Sequence, residues 1–264
     1  MDLGLSGRRA LVLGSSHGIS NAIAATLLRE GVNVAINSQD PGRVAAAASA
    51  LGTGTEPEVV HVAGDLSSDQ EIQQVVNQAA GALGGLDILI NSVLAPSFGF
   101  GPFLAHADED WGRMMQIKFI GYVRAMRAAI PHFQRAGRGV IMNNIGAGGK
   151  TYYTNHLVGG SANAALMLLT TGLATELGPL SIRVVGINAG AVRTKPYDDL
   201  LRSRAETEKL PIDELQRETV VGVPTGAMPT PEDVADLAAF LVSDRARQIN
   251  GTIVTIDGGM MRTL

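Results

Sequence analysis

Two phenols and an imidazole stand close together in the segment between residues 150 and 156. Tyr152, Tyr153 and His156 occur there with Lys150 and Asn155. These side chains donate or accept protons once their surroundings adjust their pKa, which is what general acid–base catalysis requires. A structural interpretation stands beside this one, because adjacent tyrosines in a loop usually pack or form a rim, and His156 can simply bond a carbonyl group. Tyr152, Tyr153 and His156 are therefore candidate acid–base residues.

A second group of residues has the spacing of a phosphate cradle. The apolar run 10–13 predicts a buried strand, and it is followed by Gly14-Ser-Ser-His-Gly18-Ile and a helical pattern. A glycine turn between a strand and a helix lets the backbone approach a pyrophosphate, and the helix N-terminus adds partial positive charge. The turn predicts dinucleotide contacts from its backbone and small side chains, namely Gly14, Ser16, His17, Gly18 and Ile19.

The elements that position these groups alternate along the whole chain. The strands are predicted at 10–13, 32–36, 59–62, 86–90, 139–142, 182–185 and 253–256, and the helices at 19–30, 43–51, 67–82, 108–133, 161–177 and 231–243. Alternation with short connections predicts βαβ units. We expect a single α/β domain over residues 1–264, a doubly wound Rossmann fold with a seven-stranded, mostly parallel sheet and helices on both faces. The charged, proline-punctuated segment at about 195–222 predicts a flap over the substrate cleft.

Composition excludes several classes of function. The chain has 264 residues, no cysteine and a net charge of −4, without a basic block. Nucleic-acid binding, disulfides and thiolate metal sites are therefore not expected, and the five scattered histidines show no metal-ligand spacing. No uninterrupted apolar run reaches the roughly 20 residues of a membrane span, and no cleavage site follows the N-terminus. We expect a cytoplasmic protein with a small-molecule substrate and no metal.

Read in order, five short motifs resemble the short-chain dehydrogenase/reductase family, in its 3-oxoacyl-reductase-like branch. They are the Gly14–Gly18 turn, Gly64-Asp-Leu66, Leu89-Ile-Asn91, Asn188-Ala-Gly190 and Asp257-Gly-Gly259. The resemblance covers essentially the whole chain and implies a nicotinamide dinucleotide. It implies that Asp65, with Leu66, meets the adenine and that Asn91 supports the adenosine. It further implies that the nicotinamide is framed by Gly190, Val192 and Thr194.

The cradle departs from the family pattern in places. Ser20 stands where the third glycine is usual, Ala189 replaces a proline, and the strand-four motif continues as Ser-Val-Leu94. After the second strand, Asn37, Ser38 and Gln39 offer neither an acidic residue for the ribose nor an arginine for a 2′-phosphate. Arg43 and His17 are near enough in sequence to assist a phosphate. The cofactor is expected to be NADP or NAD, with NADP favoured.

The catalytic set of the resembled family is replaced at all four positions. Its Asn, Ser, Tyr and Lys correspond here to Lys118, Gly146 (or Ala147), Gly159 and Asn163. Lys and Asn have changed places, so an ammonium from Lys118 can reach the ribose region from the opposite helix. Lys118 and Asn163 therefore join the candidate catalytic residues. Three hypotheses stay open: an oxidoreductase with altered residues, a non-redox ligand-binding protein, and an enzyme of another class such as a lyase or isomerase.

Substrate and assembly are predicted in outline. The loop after the fourth strand carries Phe98, Phe100 and Phe103, and the flap carries apolar residues among charges. This favours a small, apolar or aromatic carbonyl or alcohol. The resemblance implies a homodimer or homotetramer through the two long helices, whose small residues Gly121, Ala125, Ala162 and Ala165 permit close packing.

Overall fold

A seven-stranded, wholly parallel sheet forms the centre of the computed structural model, which describes residues 1–52, 56–93, 99–152 and 155–261. Its order is β3-β2-β1-β4-β5-β6-β7. The strands are β1 (Arg9–Leu13), β2 (Asn33–Ser38), β3 (Val59–Ala63), β4 (Ile88–Asn91), β5 (Gly139–Asn144), β6 (Ile182–Ala189) and β7 (Ile253–Ile256). The order reverses between β1 and β4, so ligands are expected at the carboxyl ends of these strands. The predicted doubly wound fold is confirmed.

Helices cover both faces of this sheet. They are α1 (Gly18–Arg29), α2 (Pro41–Leu51), α3 (Asp69–Ala82), α4 (Asp108–Met114), α5 (Gly121–Ala136), α6 (Leu157–Leu177), α7 (Lys195–Glu208), α8 (Ile212–Thr219) and α9 (Pro231–Val242). Helices α1, α2 and α9 bury their apolar stripes in one core, and α3, α5 and α6 bury theirs in the other. Strands buried on both faces read as continuous apolar runs, which is why their positions were readable from sequence.

The long helix predicted over residues 108–133 is interrupted. Between α4 and α5 the backbone forms a π-helical turn at Met115–Ile120. Such wide turns shift the side chains that follow them and occur frequently at functional sites. Lys118 lies in the middle of this turn, so the sequence period placed the residue on the right element but missed its local geometry.

The predicted flap is helical. Helices α7 and α8 span most of residues 195–219, and among their described side chains Leu201 and Leu215 are buried. Thr194 precedes α7 as its N-cap residue, although its side chain makes no capping hydrogen bond. The flap is therefore an ordered pair of short amphipathic helices attached directly to the end of the β6 segment.

Helix α6 and its extension, residues 157–180, are long and apolar enough to cross a membrane by length and composition alone. Half of the most apolar window is nevertheless buried inside the protein, where Leu166, Met167 and Ala174 join the core. Packing against the sheet explains its apolar character. The helix begins at Leu157, four residues before the predicted start, and this places Gly159 and Gly160 in its first turn.

Candidate active site

The turn between β1 and α1 has the backbone geometry of a phosphate cradle. Gly14 has φ +68°, and a Cβ there would lie 2.9 Å from the Ser92 carbonyl oxygen. Gly18 has φ +63°, and a Cβ there would meet open space. His17 precedes α1 in an extended conformation, without a side-chain cap on the first N–H groups. The unpaired N–H groups and the open space at Gly18 fit a pyrophosphate.

Ser20 replaces the family's third glycine without disturbing the packing. Its hydroxyl is buried and donates to the Ser92 carbonyl oxygen at 2.7 Å. The Ser92 hydroxyl in turn accepts from the Asn144 side-chain amide at 3.0 Å. The departure is thus part of a polar chain that ties α1 to the ends of β4 and β5.

The end of β2 leaves one basic side chain available near the expected ribose position. Asn37 is buried and donates to the Val62 carbonyl oxygen at 3.1 Å, so its side chain serves the sheet. The Ser38 hydroxyl accepts from the Asp40 N–H at 3.3 Å. Asp40 caps α2 and pairs with Arg43 at 3.2 Å, while the Arg43 side chain stays 61% exposed. His17 is also exposed, and its Nδ1 lies 3.0 Å from the Ser16 hydroxyl.

The two residues expected beside the adenosine differ in their burial. The half-buried Asp65 lies just beyond β3, where its carboxylate accepts from the Ser67 N–H at 2.8 Å; Leu66 beside it is buried. Asn91 is fully buried, and its amide donates to the Asn143 side chain at 2.8 Å. The Asn91 amide thus joins β4 to β5, while its Oδ1 has no hydrogen-bond partner, and its support of the adenosine stays a prediction.

Gly190 and the residues after it follow the carboxyl end of β6. A Cβ at Gly190 would lie 2.7 Å from the Asp257 Cβ, so only glycine lets the segment after β7 pass this closely. Val192 packs partly buried against the core. The Thr194 hydroxyl is free of any capping bond to α7. These three residues lie after the end of β6, and their framing of the nicotinamide stays a prediction.

Lys118 is a buried cation at the centre of the site. Its side chain is 5% exposed, and its Nζ donates to the Val93 carbonyl oxygen at 3.1 Å. Nζ also lies 5.7 Å from the centre of the Tyr122 ring. Burial lowers the pKa of Lys118 to about 8, and no carboxylate in the described ranges offsets that effect. The group therefore changes its charge close to neutral pH.

Tyr122 fixes the backbone that Lys118 contacts. Its hydroxyl accepts from the Val93 N–H at 2.9 Å and donates to the Asn144 carbonyl oxygen at 3.2 Å. Burial raises the pKa of Tyr122, so the phenol stays protonated as a structural clamp between the ends of β4 and β5. Sequence reasoning missed Tyr122 and Asn144. The signal was available, since Tyr122 follows Lys118 by four residues on one helix face.

Asn163 faces the same region from α6. It is 3% exposed, and its amide donates to the Ala147 carbonyl oxygen at 2.7 Å. Its Oδ1 is buried without a partner, which a bound hydroxyl group would satisfy. Gly146 has φ +97°, and a Cβ there would lie 3.7 Å from the Asn163 amide. The positions of the family's Ser and Lys are thus adjacent here, although neither side chain is present.

His156 fills the space beside Gly159. A Cβ built on Gly159 would lie 2.7 Å from Nε2 and 2.9 Å from Nδ1 of the imidazole, and closer still to Cε1. Phe100 stacks on the ring, with centroids 4.3 Å apart and an angle of 18°. Nδ1 is buried and has no hydrogen-bond partner. Burial lowers the pKa of His156, a backbone hydrogen bond with Gly99 partly offsets this, and the charge of Lys118 lowers it further.

Tyr152, the loop tyrosine within the described residues, is placed less favourably than His156. Tyr152 is 78% exposed, and it lines a small cavity of about 160 Å³ whose wall includes His156. Its phenol therefore stands at the rim in solvent. Tyr153 lies outside the described residues, and so does Phe98. Phe100 and Phe103 are more than half exposed, and Phe103 meets Trp111 edge to face at 6.1 Å between centroids.

Comparison with known proteins agrees with this geometry. The family model described as enoyl-(acyl carrier protein) reductase matches residues 14–261. A D-beta-hydroxybutyrate dehydrogenase of Rhizobium meliloti (strain 1021) is 31% identical, covering 96% of this chain and 98% of that protein. The L-sorbose reductase of Gluconobacter frateurii, solved with NADPH and L-sorbose, has a TM-score of 0.94 at 29% identity, covering 100% of both chains.

A third relative represents the branch that the sequence motifs indicated. The 3-ketoacyl-(acyl-carrier-protein) reductase of Brucella melitensis, solved with NADH, has a TM-score of 0.84 at 26% identity, covering 97% of this chain and 99% of that one. The match to the family model includes the glycine turn, the carboxyl ends of the strands and the segment after β7. This chain therefore belongs to the short-chain dehydrogenase/reductase family of NAD(P)-dependent oxidoreductases.

Proposed function

We propose that this protein is an NAD(P)-dependent oxidoreductase that interconverts a small carbonyl compound and its alcohol with an altered catalytic set. The observation that carries the proposal is a group of buried polar atoms with unused hydrogen-bonding capacity on the π-helical turn and at the start of α6, two elements that contact each other. Lys118 Nζ has one bond to a carbonyl oxygen, while His156 Nδ1 and Asn163 Oδ1 have none. Unpaired buried polar groups are costly, so they indicate a ligand that pairs them.

The cradle residues of this chain suit the dinucleotide. Gly14 and Gly18 bring backbone N–H groups to the pyrophosphate, and Asp65 faces the adenine side at the end of β3. Gly190, Val192 and Thr194 border the nicotinamide side. When bound, the reduced nicotinamide supplies the hydride.

The exchange of Lys and Asn retains the charge of the site. Lys118 holds an ammonium beside the end of β4, and Asn163 presents a carbonyl oxygen from the opposite helix. We assign to this pair the ribose hydroxyl groups, with Asn163 Oδ1 accepting a hydrogen bond and Lys118 providing the positive charge. A hydroxyl held between an acceptor and a cation gives Asn163 Oδ1 the partner that it lacks and gives the Lys118 ammonium a second acceptor.

NADP is the preferred form of the cofactor in this proposal. Arg43 and His17 are exposed on the side where the adenosine ribose would lie, and the described part of the β2–α2 connection places Asp40 in a pair with Arg43 rather than against the ribose. A guanidinium pairs well with a phosphate dianion. The L-sorbose reductase with TM-score 0.94 was solved with NADPH, which is consistent with this preference.

The rim of the site favours an apolar or aromatic substrate. Phe100, which stacks on the imidazole, is 55% exposed, and Phe103 and Leu104 shortly after it in the chain are 58% and 93% exposed. Exposed apolar groups that surround buried polar ones are typical of ligand sites. The relatives named above include a reductase for a sugar and a dehydrogenase for a short hydroxy acid, so the substrate panel must contain polar compounds as well.

The proposed homo-oligomer uses a different set of residues from those expected. Gly121, Ala125 and Ala162 are buried within the chain, so they pack α5 and α6 onto their own core. The outer surface of α6 exposes Ser161, Ala164, Leu168 and Gly172, and Leu168 is 78% exposed. A narrow, uncharged stripe with one exposed leucine suits a second copy of the helix. Sedimentation velocity tests this, and a monomer at micromolar concentration contradicts it.

Cofactor titration followed by single-turnover kinetics tests the main proposal. We expect NADPH to bind more tightly than NADH, and pre-bound NADPH to be oxidised in one turnover by at least one member of a panel of aryl ketones, short keto acids and keto sugars. Failure to bind either cofactor rejects the proposal.

The same experiment separates the alternatives. Tight cofactor binding without hydride transfer to any carbonyl favours a non-redox ligand-binding protein, which is the reading that the absence of Tyr at 159 and Lys at 163 supports. Turnover of a substrate with no net change in cofactor absorbance favours a lyase or isomerase.

A further inference from the structure

We propose that His156 is the catalytic acid–base residue of this protein, an imidazole that occupies the place vacated by the phenol at position 159. The inference rests on the proposed function and adds to it the group that transfers the proton. Three features of the structure carry it: the space at Gly159, the stacking on Phe100 and the unpartnered Nδ1.

The fit of the imidazole depends on glycine at two positions. At Gly159 a Cβ would overlap the ring, with Nε2 and Nδ1 at 2.7 and 2.9 Å. At Gly148 a Cβ would lie 3.1 Å from the ring Cδ2. The ring thus begins where a side chain at 159 would begin, and no other residue type at 159 leaves room for it. Glycine in place of the phenol-bearing residue at position 159 therefore makes room for the buried imidazole of His156.

The imidazole has contacts on its other sides as well, including a backbone hydrogen bond with Gly99. Phe100 stacks on its face at 4.3 Å, and the loop that carries Phe100 is fixed by the Gly101 N–H, which donates to the Asn155 carbonyl oxygen at 2.8 Å. The ring is 8% exposed and follows directly into α6. A buried ring with one unpartnered nitrogen is oriented for a ligand atom rather than for the protein.

The reaction balances with this single group. In the reduction, a hydride adds to the carbonyl carbon while the carbonyl π electrons move to oxygen. The N–H bond of the imidazolium breaks and an O–H bond forms, so the carbonyl is reduced, the cofactor is oxidised and the imidazole becomes neutral. In the reverse direction the neutral imidazole removes the alcohol proton. Solvent restores the proton, since Tyr152 and His156 line a cavity open to the surface.

The pH dependence distinguishes His156 from Lys118 as the proton donor. Burial and the neighbouring Lys118 charge lower the pKa of His156 below its ordinary 6.5, so the imidazolium disappears as the pH rises through a value under 6.5. Single-turnover reduction should therefore slow with a midpoint below 6.5. Lys118, whose pKa is about 8, would give a midpoint near 8. Among the described residues, Lys118 is the charged group that acts on the imidazole, and Tyr152 is a second titratable group in its cavity.

The decisive experiment compares wild type with His156→Asn. We expect the NADPH Kd to stay within about threefold and single-turnover reduction to fall at least about 100-fold, the usual contribution of a general acid. The fall in single-turnover rate that has its midpoint below pH 6.5 in the wild type should be absent from the variant. An NMR titration of the wild-type His156 ring, which needs no variant, should give a pKa equal to the kinetic midpoint.

Each outcome has a separate meaning. A His156→Asn variant that reduces the substrate within threefold of wild type, or a kinetic midpoint that differs from the NMR pKa of the ring, overturns the assignment and leaves the proposed function intact. A wild-type protein that binds no cofactor or transfers no hydride rejects the proposed function, and the assignment falls with it.

Discussion

The turn at residues 14–20 and the segment at residues 146–163 face each other across the same sheet edge, yet they relate differently to the family pattern. In the turn, glycine persists where φ is positive and where Ser92 approaches, and the single departure, Ser20, is absorbed by a hydrogen bond. In the segment, the expected side chains are gone, while the backbone of its described parts, residues 146–152 and 155–163, still follows the fold. Cofactor binding depends on backbone positions, whereas proton transfer depends on side-chain atoms, which an alternative residue can supply from a nearby position.

The largest effect is expected at Lys118, which belongs to the altered catalytic set together with Gly146, Gly159 and Asn163 of the second region. Because its folded pKa of about 8 lies below the ordinary 10.5, the unfolded chain binds more protons over that interval. Stability therefore rises from pH 8 to 10.5, and burial of the ammonium costs about 3 kcal/mol below pH 8. We expect Lys118→Met to be more stable than wild type at pH 7, with an advantage that disappears as the pH approaches 10.5.

Urea unfolding at several pH values measures this effect. The exposed Lys150 provides a matched control, and Lys150→Met should change the free energy of unfolding little at any pH. Loss of single-turnover activity in the more stable Lys118→Met would show that the buried cation serves function at the expense of stability. A Lys118→Met variant that is less stable than wild type at pH 7 would show instead that the ammonium has a partner in the folded protein.

Gly18→Ala tests the first region of the comparison, the turn at residues 14–20. Gly18 and Gly7 share a positive φ, +63° and +74°, and a Cβ would meet open space at both. Both alanine variants should therefore lose similar stability, about 1 kcal/mol. Only Gly18→Ala should weaken NADPH binding, by roughly 100-fold, because its open space is the one that we assign to the pyrophosphate. Equal NADPH affinity in the two variants would remove the turn from the cofactor site.

Gly159→Ala tests whether the position of the His156 imidazole depends on glycine at residue 159. The new Cβ overlaps the His156 ring, so we expect a loss of about 2 kcal/mol in urea unfolding. Gly172→Ala lies in the same helix with open space around it and should stabilise by roughly 0.5–1 kcal/mol. In the His156→Ala background, Gly159→Ala should behave like Gly172→Ala. An equal cost of Gly159→Ala with and without His156 would show that the two positions are independent.

How much of the structure the sequence predicts follows from the distinction between backbone positions and side-chain atoms. The strands and the cradle were readable because β1 and β4 are buried on both faces and because positive φ restricts positions such as Gly14 to glycine. The alternation of elements led directly to the parallel sheet. Helix α6 was placed four residues late, since the pair Gly159-Gly160 weakens a helical pattern that tertiary packing restores.

The arrangement of the site was only partly accessible. The exchange of Lys and Asn at positions 118 and 163 was visible from spacing, but the π-helical turn that aims Lys118 was not, because a local widening leaves no periodic signal. The contact of His156 with Gly159 requires three-dimensional packing across a helix start. The hydrogen bond of the Asn91 amide was not accessible for a similar reason, since the direction of a polar side chain at a strand end is decided by its neighbour, Asn143.

The smallest expected effect concerns the preference between NADP and NAD. Arg43 is exposed and paired with Asp40, so a 2′-phosphate gains only a screened, partly shared charge from it. Arg43→Gln should raise the NADPH Kd a few-fold and leave the NADH Kd unchanged. Asp40→Asn should act in the opposite direction, because asparagine keeps the N-cap of α2 while releasing Arg43 toward the phosphate. Both effects should shrink as salt is added, since exposed charges are screened. Unchanged ratios of the two Kd values in both variants would assign the cofactor preference to Ser38 and His17 instead.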